Sequence, residues 1–311
     1  MGQSTSTTTS HQADLSSYLD ALSSGYKMTT PNIWLVTGAT SGIGLELAKA
    51  ALAAGHTVIA GCRDTSKNPE LTVELENLGA TWLQLDLAAS DVEAKVQETI
   101  VKFGHIDVLI NNAGYAVAGA IEDISVDQVK GQFDINVLGP LRTIQAVLPS
   151  MRERKSGTIV NISSSNGIAS MPGLGVYSAS KFAVEGLTEG LQKELAGFGI
   201  RVLLVEPGLV ATRFADPKGS GVMVPLTKPY KGTAADQTLQ AVMNAGAAGM
   251  GGNAEKTALR IVEAVDGTSF FKSKEVKLRL VLGADAAGGV QKKGQEYLDL
   301  FDELKEVWSS I

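Results

Sequence analysis

Ile33-Trp34-Leu35-Val36-Thr37-Gly38-Ala39-Thr40-Ser41-Gly42-Ile43-Gly44-Leu45 is the stretch that decides the fold. Ile33–Thr37 is a short apolar run of strand character, and Leu45–Ala54 has a helical pattern. Gly38, Gly42 and Gly44 lie between them. Glycine lets a backbone turn sharply and lets a pyrophosphate come close, while the first turn of a helix offers unpaired N–H groups and partial positive charge. Strand, glycine turn and helix in that order predict a dinucleotide site on Gly38, Thr40, Ser41, Gly42, Ile43 and Gly44. The spacing is Gly-x-x-x-Gly-x-Gly, which differs from the commoner Gly-x-Gly-x-x-Gly.

The alternation continues outward. Thr57–Ala60, Trp82–Leu85, Val108–Asn111, Thr158–Ser163, Arg201–Val205 and Leu278–Leu282 read as strands; Asp91–Phe103, Ser125–Met151, Tyr177–Ala196 and Glu255–Val265 read as helices. This order predicts an α/β protein with a doubly wound (Rossmann-type) parallel sheet covered on both faces. Residues 31–311 then form one domain, because a chain of 311 residues does not demand two. Proline and glycine break the rhythm over residues 213–253, where loop and short helix are expected to form a small substrate-binding region. A polar helix, Gln291–Ser309, ends the chain. Its Tyr297, Leu298, Phe301, Leu304 and Val307 fall at helix-face intervals, and packing on its own domain is the expectation.

Residues 1–30 are rich in Ser and Thr and read as a flexible extension, within which Leu15, Leu19 and Leu22 permit one short amphipathic helix. Met1-Gly2-Gln3-Ser4-Thr5-Ser6 also fits the loose pattern for myristoylation of Gly2. No basic cluster or cysteine supplies a second anchor there, so stable membrane anchoring is not expected.

Hydrophobic residues make up 44% of the chain and charged residues 19%, which allows a large core and argues against global disorder. A net charge of −6 removes any bulk attraction to nucleic acid. The lone cysteine, Cys62, forms no intrachain disulfide and suits a reducing compartment, so a cytoplasmic location is expected. His11, His56 and His105 show no metal-ligand spacing, and no metal is expected.

Four motifs, in order, carry a family resemblance. Thr37–Gly44 resembles the T-G-x-x-x-G-x-G of short-chain dehydrogenases/reductases, and Asn111-Asn112-Ala113-Gly114 resembles their N-N-A-G. Tyr177-Ser178-Ala179-Ser180-Lys181 resembles their Y-x-x-x-K, and Pro207-Gly208 with Thr212 resembles the turn that closes over the nicotinamide. Residues 111–119, 133–151 and 206–217, with the tail after Leu282, are most similar to the 17-beta-hydroxysteroid dehydrogenase-like group. The resemblance implies cofactor contacts from Asn112, Ala113, Gly114, Pro207, Gly208 and Thr212, and from Asp86 and Leu87 at the adenine ring. Where NAD-preferring relatives carry an acidic residue after the second strand, Cys62 stands here, followed by Arg63. A guanidinium suits a 2′-phosphate, so NADP(H) is the expected cofactor, and Asp64 is expected to cap the next turn.

Tyr177 and Lys181, four residues apart in a helix, share one face. A neighbouring ammonium is expected to lower the phenol's pKa from its usual value of about 10. By resemblance, Lys181 also holds the nicotinamide ribose, Ser164 orients the substrate, and Asn136 holds a relay water at a helix kink. The implied reaction is hydride transfer between the nicotinamide and a carbonyl or secondary alcohol, with Tyr177 as the proton donor in reduction. Phe214, Met223, Val224, Leu226, Tyr230, Met243 and Met250 in the variable region favour a largely apolar substrate: a steroid-like, polycyclic aromatic or quinone ketone. Three other readings stand beside it: a catalytically silent NADP(H)-sensing protein of the same fold, an epimerase or dehydratase of sugar nucleotides, and a membrane- or partner-binding module using Gln291–Ser309. The resemblance leaves a homodimer or homotetramer open. Because no motif lies before residue 28, removing residues 1–27 is expected to leave melting temperature and turnover unchanged; a large loss of either shows that the extension packs on the domain.

Overall fold

All seven expected strands form one parallel sheet. They are β1 (Ile33–Thr37), β2 (Thr57–Cys62), β3 (Thr81–Gln84), β4 (Val108–Asn111), β6 (Gly157–Ile162), β7 (Ile200–Pro207) and β9 (Arg279–Leu282), after a two-residue β5 (Val117–Ala118) and β8 (Val222–Met223) are set aside as a separate pair. The order across the sheet is β3-β2-β1-β4-β6-β7-β9. The structure is a computed structural model and describes residues 31–212 and 221–311; the N-terminal extension, the Gly2 signal, Phe214 and Pro217 lie outside the described residues.

The strands run almost wholly apolar because both faces are covered. Along β1, Trp34 and Val36 enter one core while Leu35 enters the other. The first core is closed by helix α1 (Gly42–Ala53) and helix α8 (Ala254–Asp266), through Leu47, Ala51, Ile261 and Val262. The second is closed by α3 (Val92–Phe103), α5 (Gly139–Arg154) and α6 (Gly175–Leu195), through Val96, Ile144, Val147 and Leu191. Strand order reverses between β1 and β4, which opens a crevice at their carboxyl ends; ligands of doubly wound sheets bind in such a crevice.

Four local features differ from the sequence reading. Helix α2 (Pro69–Asn77) is hidden by its polarity, since only Leu71 and Leu75 are buried; Asn68 caps it by accepting from Leu71 N. The expected Ser125–Met151 helix is three pieces: α4 (Val126–Phe133), a π-helical turn (Asp134–Leu138), and α5. Within residues 213–253 stands a full helix, α7 (Ala234–Ala247), started after Gly232 and stopped at Gly249. The last helix, α9, begins at Ala284 and runs to Glu303, followed by a turn and a short α10 (Lys305–Trp308). The face expected to pack on the domain is open: Tyr297 is 59% exposed and Phe301 54%. Asp64 does cap the turn after β2, accepting from Ser66 N at 2.9 Å.

Candidate active site

The glycine turn is stapled to the end of β4. The Thr37 hydroxyl donates to Ile110 O at 3.2 Å and accepts from Asn112 N at 3.0 Å and Ala113 N at 3.1 Å. The Asn112 amide donates back to Thr37 O at 3.0 Å and Gly38 O at 3.2 Å, so its side chain is spent on holding the turn. Gly44 is needed for this closeness, since a Cβ there would collide with both the Asn112 amide nitrogen and Gly38 O. Gly42 has φ +57° and faces Thr212, whose Cβ would be 3.3 Å from an added methyl. The turn carrying Gly38, Thr40, Ser41, Gly42 and Ile43 thus meets Thr212, beyond the Pro207-Gly208 turn, across the mouth of the crevice. Helix α1 starts at Ser41 without a side-chain cap and with no acidic residue in its first turn, which leaves its N–H groups and dipole to an anion.

Arg63 follows β2 on the surface and makes no ion pair among the described residues. Asp86 is half-buried and accepts from Ala88 N at 3.1 Å, while Leu87 is buried against Gly139. Gly114 brings the segment after β4 close to two further residues: a Cβ there would be 3.1 Å from Asn136 Oδ1 and 3.8 Å from Lys181 Nζ.

Ser164, Tyr177, Lys181 and Asn136 converge, and all four are buried. Strand β6 ends in Ile162, so Ser163 and Ser164 emerge at its carboxyl end. The Ser164 hydroxyl hydrogen-bonds the Tyr177 phenol. Of the three-serine run, Ser164 faces the phenol while Ser163 faces Glu185. One turn along α6, the Lys181 ammonium donates to Ile162 O at 2.8 Å and lies 5.8 Å from the centre of the Tyr177 ring. Asn136 sits in the π-helical turn, where the backbone register shifts; it accepts from Tyr115 N at 3.1 Å and donates to Tyr115 O and the Ser180 hydroxyl.

Burial controls the protons here. Desolvation pushes the Tyr177 phenol up to about 12, against a lowering by its bond to Ser164. The expected lowering by Lys181 is not met in the chain alone, because the ammonium is itself desolvated and turned to a carbonyl. Burial brings Lys181 down to about 8, opposed by the negative charge of Glu185.

The sequence reading misses the parts that hold this cluster. Ser180, inside the Tyr–Lys motif, accepts from Gln132 and Asn136 and donates to Tyr177 O at 2.7 Å. Behind Lys181, Arg279 Nε pairs with Glu206 at 2.8 Å, and its Nη2 pairs with Glu185 at 3.0 Å. Burial, then the nearby Glu185 charge, raises the fully buried Glu206 to about 7. Asp285, in the first turn of α9, accepts from Leu209 N at 2.7 Å, and a Cβ on Gly208 would collide with its carboxylate. Strand β9 and α9 are remote in sequence from the motifs; only the i, i+4 interval from Lys181 to Glu185 hints at this network.

A parallel doubly wound sheet with a glycine turn at its crevice defines a dinucleotide-binding α/β protein. The sequence pattern of the short chain dehydrogenase family matches residues 32–222, and the chain belongs to that family. It is 44% identical over 208 residues to oxidoreductase claN of Passalora fulva, covering 67% of this chain and 94% of that one. It is 42% identical over 191 residues to bovine retinol dehydrogenase 8, covering 59% of this chain and 61% of that one. A short-chain dehydrogenase from Streptomyces avermitilis superposes with a TM-score of 0.80 at 34% identity, over 91% of this chain and 99% of the other. A short-chain dehydrogenase/reductase from Burkholderia phymatum, solved in complex with NAD, superposes with a TM-score of 0.70 at 25% identity, over 85% and 93%. The chain is an oxidoreductase fold built for a nicotinamide cofactor. No helix among the described residues is long and apolar enough to cross a membrane.

In a protein labelled with ¹³C at lysine Cε, one resonance is expected to titrate near the value of about 8 set by burial of Lys181, below the ordinary 10.5, and to vanish in Lys181→Met. Titration of every lysine near the ordinary value contradicts the buried ammonium.

Proposed function

We propose that this protein is an NADPH-dependent carbonyl reductase acting on a largely apolar ketone, with Tyr177 as the proton donor. The observation that carries the reading is the buried Ser164–Tyr177 pair beside Lys181, at the mouth of a glycine-lined crevice. The cofactor would lie along Gly38–Gly44, with its pyrophosphate on the uncapped start of α1, its adenosine toward Asp86, Leu87 and Arg63, and its nicotinamide between Gly114 and the Pro207-Gly208 turn. When bound in reduced form it supplies the hydride.

The chain's own residues do the rest. Ser164 and Tyr177 hydrogen-bond the carbonyl oxygen and stabilise the negative charge it gains. Tyr177 Oη gives its proton to that oxygen. A phenol pushed up to about 12 is fully protonated at neutral pH, which suits donation in the reducing direction. Lys181 Nζ, held by Ile162 O 5.8 Å from the centre of the Tyr177 ring, would hold the cofactor's ribose and feed a proton relay to the tyrosine. Asn136, fixed by Tyr115 and Ser180, positions the water end of that relay. Asp285 and the Arg279 carboxylate network hold the Pro-Gly turn and α6 in place.

Support for an apolar substrate comes from the small sheet and α7. Leu226 and Val242 stay partly exposed where they pack on the cluster of Ala118, Leu174 and Leu239, and Leu174 lies one turn before Tyr177 on the chain. The bovine relative's name, a retinol dehydrogenase, points the same way. Arg63, exposed and without an acidic neighbour at Cys62, supports NADPH over NADH. On this reading the enzyme works in the cytoplasm.

Tyr177→Phe keeps the ring and removes the hydroxyl. Steady-state turnover with apolar ketones is expected to fall by roughly 10²–10⁴-fold, as for a general acid, with NADPH affinity nearly unchanged; retention of most of the rate means another group donates the proton. Arg63→Ala is expected to raise the NADPH KM by about tenfold or more, a loss of about 1.4 kcal/mol or more, while leaving the NADH KM alone. Equal losses with both cofactors mean that Arg63 is structural.

A further inference from the structure

We propose that Gln132, acting with Ser180, is a positioning residue for the proton-donating cluster: it ties the small sheet of the substrate region to the helix that carries Tyr177 and Lys181, and it fixes the orientation of the Asn136 amide. Of the eight residues of α4, only Gln132 is buried, and it is wholly out of water. An amphipathic helix ordinarily buries an apolar residue at such a place, because an amide taken out of water costs free energy unless its polar atoms find partners. Gln132 finds them on two other elements. Its Oε1 accepts from Val117 N on β5, and its Nε2 donates to the Ser180 hydroxyl on α6 at 3.1 Å.

Ser180, also fully buried, offers one hydrogen and two lone pairs. The hydrogen goes to Tyr177 O at 2.7 Å; the lone pairs receive Gln132 Nε2 and, at 3.1 Å, Asn136 Nδ2. The directions are forced. A glutamine turned over would set its NH2 against Val117 N–H, donor against donor. With Ser180 accepting, Asn136 gives its NH2 to Ser180 and to Tyr115 O, which leaves Oδ1 for Tyr115 N. Gln132 thereby holds the Ser180 hydroxyl turned to Tyr177 O, with a lone pair open to Asn136. Asn136 in turn lies beside Lys181, since a Cβ on Gly114 would be 3.1 Å from Asn136 Oδ1 and 3.8 Å from Lys181 Nζ.

The other end of the tie lies on the substrate side. Val117 pairs with Val222 of β8, where Val222 N donates to Ala116 O at 2.7 Å and Val224 N to Ala118 O at 2.8 Å. Hydrogen bonds thus join residues 222–224, through Gln132 and Ser180, to Asn136 and to the backbone of Tyr177. The role rests on the reductase reading above. Misplacing a reacting group by about 1 Å costs up to roughly 10²-fold in rate, whereas an amide that served stability alone would leave turnover per folded molecule unchanged.

The test compares the full chain with Gln132→Met, Ser180→Ala and the double variant. Each single change is expected to lower kcat for NADPH-driven ketone reduction by about tenfold or more. The double variant should fall no further than Ser180→Ala, because both changes break one shared contact. NADPH affinity should hold, while the solvent deuterium isotope effect on kcat rises, since the proton step is the one misaligned. Losses that multiply, or wild-type kcat in either folded single variant, overturn the proposal; Ser180→Ala removes one oxygen atom and keeps the pair testable if Gln132→Met does not fold. A second readout needs no turnover: hydrogen exchange of the Asn136 side-chain amide by NMR, assigned by its loss in Asn136→Ala, is expected to be slow in the wild type and faster in both single variants. A wild type that binds NADPH and reduces no ketone defeats the reductase reading alone; Asn136 exchange unchanged by the variants overturns the positioning.

Discussion

Burying the Lys181 ammonium is the constraint on which the site depends. An unpaired charge in a protein interior is costly, so the amine must find an acceptor or lose its proton. It finds Ile162 O at the end of β6, and the Glu185 charge one turn further along α6. That requirement ties the helix to the strand and thereby fixes Tyr177, on the same helix, against Ser164, on the segment leaving the same strand. The buried phenol keeps its proton through the neutral range for the same reason that the ammonium is loosened: both are out of water.

The rest of the fold supplies the second half of the site. Thr37 and Asn112 staple the glycine turn of β1 to the segment after β4, where the sheet reverses direction, and Gly44 makes room for that staple. Gly114 then brings the same segment next to Asn136 and Lys181. On the proposed function, a cofactor lying along the stapled turn would reach the Ser164–Tyr177–Lys181 cluster past Gly114. On the far side, Asp285 holds Leu209 and Arg279 gathers Glu185 and Glu206, so the C-terminal elements act as a clamp on the turn and helix they face.

The sheet and the cluster are legible in the sequence because their signals are local. β-branched and leucine runs mark the strands, and Tyr177 and Lys181 share a face by interval alone. Ser164 is legible only by register within a run of three serines. What is not legible depends on contacts distant along the chain. Polar α2 has almost no buried stripe, and α7 lies in a segment whose prolines and glycines hide a helical run. The break at Asn136 is legible only through the resemblance, which implies a helix kink there; the apolar pattern runs through it, and Asn136 bonds Tyr115 and Ser180 from the π-helical turn. The terminal helix carries the spacing of a helix packed on its own domain, yet the structure leaves that face open to water. The pKa of Tyr177 moves opposite to the sequence expectation because a charge pair is visible in sequence while desolvation is not.

The central claim is that the buried cluster performs carbonyl reduction. Incubation with NADPH deuterated at the transferable C4 position and a set of steroid-like, polycyclic and quinone ketones, with product masses read by mass spectrometry, tests it directly. The account predicts an alcohol carrying one deuterium on the former carbonyl carbon of at least one apolar ketone. Tight NADPH binding with no labelled alcohol from any of them would contradict it and leave a nucleotide-sensing protein of the same fold.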